Sequence, residues 1–169
     1  CLRENPDIMG IGEMRSAEAY TVAEAARTGT ATYTTTHASN AIDTYKRLME
    51  LSYKKYPMEF SFLMRQMIDA FPIIVHQKRF PDGSRRIIEI LEGVRFNPET
   101  ESVEGNMLYK FVVEDNIEDK DGNIAEVRGH FEKVHNMSKS LYERFLSNGA
   151  TTTKLAAYID PTKTKEGTM

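Results

Sequence analysis

The spacing of apolar and polar positions divides the first part of the chain into strand, helix, strand, helix, helix. Residues 7 to 14 form a short apolar run bounded by Pro6 and Ser16, which predicts a buried strand of a parallel sheet. At Ser16-Ala17-Glu18 the rhythm changes. A capping residue and an early acid precede Ala19, Ala23, Ala25 and Ala26, and Gly29 ends the predicted helix. Residues 31 to 36, Ala-Thr-Tyr-Thr-Thr-Thr, are dense in β-branched and aromatic types and predict a second strand. Strand, helix, strand implies a right-handed parallel unit. Asn40 then caps a helix in which Ile42, Tyr45, Leu48 and Met49 recur at helical spacing, until Pro57 interrupts it. In the next helix Phe60, Leu63, Met64, Met67, Ile68 and Phe71 fall at i, i+3, i+4, i+7, i+8 and i+11, a stripe that core packing explains.

After Pro72 the period shortens. Residues 73 to 80 and 84 to 91 flank the turn signal Pro81-Asp82-Gly83-Ser84 and predict an antiparallel hairpin. Residues 95 to 106 are polar, contain Pro98 and Gly105, and mark the expected boundary between two parts of the chain. Beyond it, residues 107 to 114 and 124 to 132 read as strands joined around Asp119-Lys120-Asp121-Gly122-Asn123. Ser138 to Ser147 reads as a short helix, and Pro161 to Met169 as a frayed tail.

Composition narrows the class. The 169 residues suffice for one domain plus an appendage. With 40% hydrophobic and 28% charged residues, and no apolar run near the roughly 18 residues of a spanning helix, the sequence excludes transmembrane-helical and wholly disordered chains. The 22 basic against 25 acidic residues give a net charge of -3, which offers no general electrostatic case for nucleic acid. Cys1 stands alone, so no internal disulfide forms and a reducing compartment is expected. Without an initiator Met, Cys1 leads directly towards Ile8-Met9-Gly10-Ile11. The chain therefore reads as the middle of a longer polypeptide; a mature lipoprotein, which also begins with Cys, would carry a polar tether there. The Asp119 to Asn123 segment fails the calcium-loop spacing, because Ile117 falls where the first ligand belongs, and reads as a turn. His130 and His135 have no metal-ligand spacing. Lys78-Arg79 and Arg85-Arg86 place four positive charges around one hairpin, either a solvated face or one that meets anionic headgroups or a neighbouring subunit.

The chemistry concentrates near the start. Glu13 closes the first strand, and the carboxyl ends of parallel strands are where α/β sheets bind ligands. The second strand runs into Thr34-Thr35-Thr36-His37, which brings His37 to the same edge. Taken singly, a strand-end Glu often just pairs or caps, and a turn histidine is often satisfied by backbone groups. Two such groups converging on one edge make a candidate site.

The order Leu2-Arg3, Pro6-Asp7, an apolar stretch, Gly12-Glu13-Met14-Arg15, a helix, Thr28-Gly29, then Thr35-Thr36-His37-Ala38 and Asn40 resembles the secretion and pilus-assembly ATPase superfamily. There the first segment is the Walker B region and the second the histidine box. The resemblance continues through Asp43, Arg47-Leu48 and Asp82 to Arg86. Gly105-Asn106-Met107, Asp121-Gly122-Asn123, Gly129-His130-Phe131 and the Leu141 to Phe145 helix are similar to the C-terminal appendage of the tight-adherence pilus and type IV secretion branch.

The resemblance implies an α/β fold: the C-terminal half of a RecA-like P-loop domain over residues 1–95, a parallel sheet with an edge hairpin. A small α+β appendage over 96–160 and a tail over 161–169 follow. It implies ATP and magnesium as cofactors, with Glu13 as the Walker B glutamate that helps hold magnesium, directly or through water, or positions the attacking water. His37 is then the histidine that contacts the terminal phosphate, and Gly12, Arg15, Thr35 and Thr36 face nucleotide or a subunit interface. It further implies a hexameric ring on the cytoplasmic face of the inner membrane, partnered by secretion or pilus platform proteins and not by nucleic acid. Thr30 departs from the family, which commonly has histidine after Thr-Gly, and Leu2-Arg3-Glu4-Asn5-Pro6 replaces an arginine-rich run. No glycine is followed by lysine, so the phosphate-cradling Gly-x-x-x-x-Gly-Lys-Ser/Thr loop is absent from this sequence, and alone it is expected to be inactive. Two further readings stand beside the motor: a noncatalytic interaction module with the same fold, and an ATP-driven DNA motor.

Overall fold

A computed structural model describes residues 6–159. The order is β1 (Ile8–Ile11), α1 (Glu18–Arg27), β2 (Ala31–Thr34), α2 (Asp43–Tyr53), α3 (Phe60–Ala70), β3 (Ile73–Arg79), β4 (Arg85–Asn97), β5 (Ser102–Glu118), β6 (Ile124–Lys133), α4 (Lys139–Ser147) and α5 (Thr152–Leu155). The strands form two sheets, parallel β1-β2 and a four-stranded β3-β4-β5-β6. The chain divides into two compact units. One runs through His76 and includes Gly93–Gly105; the other comprises Gln77–Glu92 and the chain from Asn106 onward.

In the first unit β1 and β2 pair in parallel from Ile8↔Ala31 to Ile11↔Thr34. The sequence predicts a buried first strand, and the structure corrects this: exposure alternates along β1, and Ile8 is 65% exposed. Two strands leave Ile8 and Tyr33 on an open face, with the Tyr33 ring lying across Gly10. The core lies instead among the three helices, where Ala19, Val22, Tyr45, Leu48, Leu51, Leu63 and Met67 are buried. Leu63, Met64, Met67, Ile68 and Phe71 bury as their spacing predicts, while Phe60 remains at the rim against Phe96. Tyr45 is fully buried, and its hydroxyl donates to the Phe71 carbonyl at 2.7 Å.

The Ser16 cap is also corrected. The Glu18 carboxylate accepts from the backbone N–H groups of Arg15 (2.7 Å) and Ser16 (2.9 Å), while the Ser16 hydroxyl itself donates to Glu18. A carboxylate at a helix start satisfies donors that the helix leaves open. Glu59 does the same for α3 through Ser61 and Phe62. Asn40 acts as expected at α2, accepting from the Asp43 N–H at 2.8 Å.

The hairpin expected at the edge of the parallel sheet belongs to the other sheet, with β5 and β6. The polar stretch 95–106 has the conformation of a strand, turn and strand. The Asn97 side chain accepts from Glu99 at 3.0 Å, and Arg95 grips Glu104 with two hydrogen bonds of 2.6 and 3.1 Å. Polar residues here neutralise one another across a ladder, which composition alone reads as a loop.

In the second unit β5 and β6 pair antiparallel. Two carboxylates organise it. Asp82, in the β3–β4 turn, accepts from Ser84 at 2.9 Å and from the Val127 N–H of β6 at 2.9 Å, and it pairs with Arg86. Glu92 is only 3% exposed and accepts from the Asn106 amide (3.0 Å), the Ser138 N–H (2.9 Å) and the Ser138 hydroxyl. Ser138 in turn caps α4 through the Leu141 N–H. The expected tail, residues 161–169, lies outside the described residues.

Two stability predictions follow from this packing. A Cβ at Gly93 would overlap the Tyr45 hydroxyl and lie 2.6 Å from its ring carbon, so Gly93→Ala is expected to cost about 1 to 3 kcal/mol in denaturant unfolding. Adding Tyr45→Leu should remove most of the Gly93→Ala increment, and simple additivity of the two changes would refute the clash. Replacing Glu92 with Ala leaves buried donors unmatched and is expected to cost about 2 to 3 kcal/mol, with Glu92→Gln milder. Equal stability of all three proteins would mean water replaces the carboxylate.

Candidate functional site

The parallel ladder continues past the last strand residues. The Met14 N–H donates to the Thr35 carbonyl at 2.8 Å, the Thr35 hydroxyl donates to the Gly12 carbonyl, and the Thr36 hydroxyl donates to the Met14 carbonyl at 3.1 Å. These bonds fix residues 12 to 14 against 35 and 36. Thr35, Thr36 and Gly12 thus act on one another's backbone, and Met14 is buried beneath them.

Glu13 consequently leaves the carboxyl edge beside His37. Its Oε1 lies 3.2 Å from His37 Nε2 and its Oε2 lies 2.6 Å from an Arg15 guanidinium nitrogen. The Glu13 side chain is 22% exposed, Arg15 77% and His37 90%, so the carboxylate is sheltered and its partners stand in solvent. The hydrogen bond from Arg15 holds the Glu13 carboxyl below the usual glutamate range, outweighing the opposing effect of burial, and His37 adds to the lowering. Glu13 raises Arg15 in return.

Next to His37 lies a groove of about 370 Å³, lined by His37, Ala38, Ser39, Asp43, Lys46, Arg47 and Glu50. The four charged residues recur at i, i+3, i+4 and i+7 along α2, a polar stripe legible in the sequence once its apolar counterpart is set aside. Glu18 is the other contributor that sequence reasoning left without a role at the site. It clamps Arg15 and Ser16 just after Glu13, and the Ser16 hydroxyl together with the backbone N–H groups pulls its carboxyl down to about 2. His130 and His135 serve elsewhere, on Glu114 and on the Met107 carbonyl.

Among the described residues no group of three or more His, Cys, Asp or Glu side chains could hold a metal ion. One Glu13 oxygen accepts from the Arg15 guanidinium, and the other lies 3.2 Å from His37 Nε2. Glu13 is thus a lone carboxylate among cationic and imidazole neighbours, not a protein cage for a cation.

The small parallel sheet gathers a carboxylate, an imidazole and a guanidinium at its carboxyl edge, the edge at which open α/β sheets bind ligands. More particularly, the family model for type II/IV secretion system proteins matches residues 1–92, over half of the sequence, and the chain belongs to that family, which is generally associated with ATPases. No curated protein matches the chain. Every described residue of the candidate site lies within the matched stretch. No helix among the described residues is long and apolar enough to cross a membrane.

Glu13 and Glu18 both bind protons less readily in the folded chain than the ordinary value of 4.5. Their stabilisation is therefore complete above that value and is lost as pH falls through the folded values, towards about 2 for Glu18. Denaturant unfolding between neutral pH and pH 2 is expected to show stability falling in this window. Glu18→Gln should be less stable at neutral pH and fall less steeply; an unchanged slope would detach Glu18 from the acid response.

Proposed function

We propose that this chain is part of a ring-forming secretion or pilus-assembly ATPase, in which Glu13 and His37 act on the terminal phosphate of ATP and the phosphate-cradling loop comes from sequence outside this chain. The observation that carries the reading is the convergence of Glu13 and His37, at 3.2 Å, from the carboxyl ends of two adjacent parallel strands. Membership of the secretion family supports it. In this reading residues 1–95 are the C-terminal part of a RecA-like domain and 96–160 an appendage. Its hexameric ring works at the inner face of the cell membrane with platform proteins.

Phosphoryl transfer asks the protein for positioning and charge neutralisation. Magnesium supplies charge neutralisation at the phosphates when bound. Glu13, its carboxyl lowered by Arg15, accepts a hydrogen bond from the attacking water, and would help hold magnesium when it is bound. His37, exposed at the edge and joined to Glu13, donates to a phosphate oxygen. Arg15 holds the carboxylate in place on this surface or exchanges it for a phosphate of a neighbouring site.

The test is magnesium-dependent ATP hydrolysis by the protein extended to include a phosphate loop. Glu13→Gln is expected to keep nucleotide binding and lose turnover by about 100-fold or more, and His37→Ala to slow turnover with the fold unchanged. Wild-type rates in Glu13→Gln would remove that residue from the mechanism. A wild type that is silent even when assembled favours the noncatalytic interaction module.

A further inference from the structure

The four-stranded sheet ends at β6, and the bonds around that strand show which way its backbone groups point. The Val134 N–H, just past the strand, donates inward to the Leu108 carbonyl of β5 at 2.9 Å, while the Val127 N–H donates outward to Asp82 at 2.9 Å. The two directions alternate along an antiparallel strand. Arg128, His130 and Glu132 therefore bond towards β5, and Val127, Gly129, Phe131 and Lys133 turn their backbone groups away from it. Asp82 occupies this edge at Val127, and near its other end the Lys133 ammonium donates to the Ala157 carbonyl at 2.8 Å. Between them, no loop or side chain among the described residues bonds the Gly129 or Phe131 backbone.

The side chains beside this opening are patterned by face. On one face three phenylalanines run as edge-to-face pairs, Phe80 with Phe111 at 5.8 Å and Phe111 with Phe131 at 5.2 Å, from a buried Phe80 to a Phe131 that is 60% exposed. Gly129 shares that face two residues before Phe131. A Cβ on Gly129 would overlap the Val112 carbonyl oxygen and lie 2.7 Å from the Phe111 ring. Glycine therefore leaves the face bare beside its most exposed ring. On the other face the charges of β6 are exposed, Arg128 pairing with Glu126 at 3.2 Å and Glu132 with Lys110 of β5 at 3.2 Å.

We propose that β6 pairs antiparallel with β6 of a second copy of this chain, about a two-fold axis at His130. Strand alternation admits only registers that set outward residues opposite one another. An axis at Gly129 would set Glu126 against the partner's Glu132, and an axis at Phe131 would leave Arg128 facing the partner's Val134. With the axis at His130, Gly129 faces the partner's Phe131 and Arg128 faces the partner's Glu132, and the symmetry repeats both pairs. The exposed ring covers the strip that glycine leaves bare and meets Phe111 there. The charges join into an alternating row of Lys110, Glu132, the partner's Arg128 and the partner's Glu126. Each Gly129 to Phe131 pair exchanges its N–H and C=O bonds, which satisfies the open edge. An isologous contact closes at two chains and uses neither Glu13 nor His37, so it stands apart from the ATPase reading.

The experiment is analytical ultracentrifugation of the 169-residue chain over a range of concentrations, joined to thiol cross-linking in a Cys1→Ser background. A monomer–dimer equilibrium is expected. Arg128→Glu and Glu132→Arg should each raise its dissociation constant about tenfold by setting like charges opposite at both symmetric places, and R128E/E132R should restore it. Antiparallel residues that face each other without hydrogen bonds have Cα atoms about 4.5 Å apart, within disulfide reach. His130→Cys should therefore cross-link to its own copy under glutathione disulfide, while Glu126→Cys, on the same face of β6, should not. Circular dichroism should match across all variants. A chain that stays monomeric, a dimer or larger ring indifferent to both charge reversals, a double variant that fails to restore pairing, or equal cross-linking of Glu126→Cys would each overturn the proposal.

Discussion

The parallel register between β1 and β2 is the constraint on which the candidate site depends. Pairing of Ile11 with Thr34, continued by the Met14 to Thr35 bond, leaves Glu13 and His37 no choice but to emerge side by side. A shift of one residue would turn Glu13 to the other face of the strand and separate the pair. The threonine run adds what a ladder alone lacks. Two hydroxyls, from Thr35 and Thr36, bind carbonyls of the opposite strand where regular pairing has ended. The site is built less by attraction between its charged members than by backbone geometry behind them.

Carboxylates recur as backbone anchors across the chain. Glu18 and Glu59 satisfy helix starts, Asp82 holds an N–H of β6, and Glu92 joins β4 to β5 and to the start of α4. The Asp82 contact also occupies a donor of a strand that ends its sheet. Covering such donors blunts the tendency of sheet edges to recruit other strands. Where the second unit has few fully buried large side chains, these contacts and the aromatic row define its conformation in place of a deep core.

Local pattern made much of this legible. The apolar stripe of α3 survives because helix periodicity and burial agree at nearly every position, and the Pro81 to Ser84 turn survives because Asp82 and Gly83 fill it for local reasons. Non-local facts were not legible. Whether the apolar run at Ile8 is buried depends on how many strands and layers surround it, and in the structure they are few. The polar residues of 95–106 looked like a connection because the sequence does not state that Arg95 and Glu104 face each other. Glu92 looked like the polar member of a half-exposed strand, and only the arrival of Ser138 and Asn106 makes its burial tolerable. At the site, the residue types were readable and their juxtaposition followed from the strand order, but the clamp by Glu18 required the turn itself.

The exposures at the candidate site set how tightly its charged groups are held. An ion pair with one member 77% exposed contributes little to stability, and solvent screens it. The Arg15 to Glu13 contact therefore favours the ionised carboxylate and orients it without locking it. His37, 90% exposed, likewise meets water on most sides. Hydrolysis that stabilises developing charge by fixed donors works only where water is excluded. On the proposed ATPase reading, that exclusion would be supplied by the phosphate loop and a neighbouring subunit, because the edge itself leaves Arg15 and His37 in solvent.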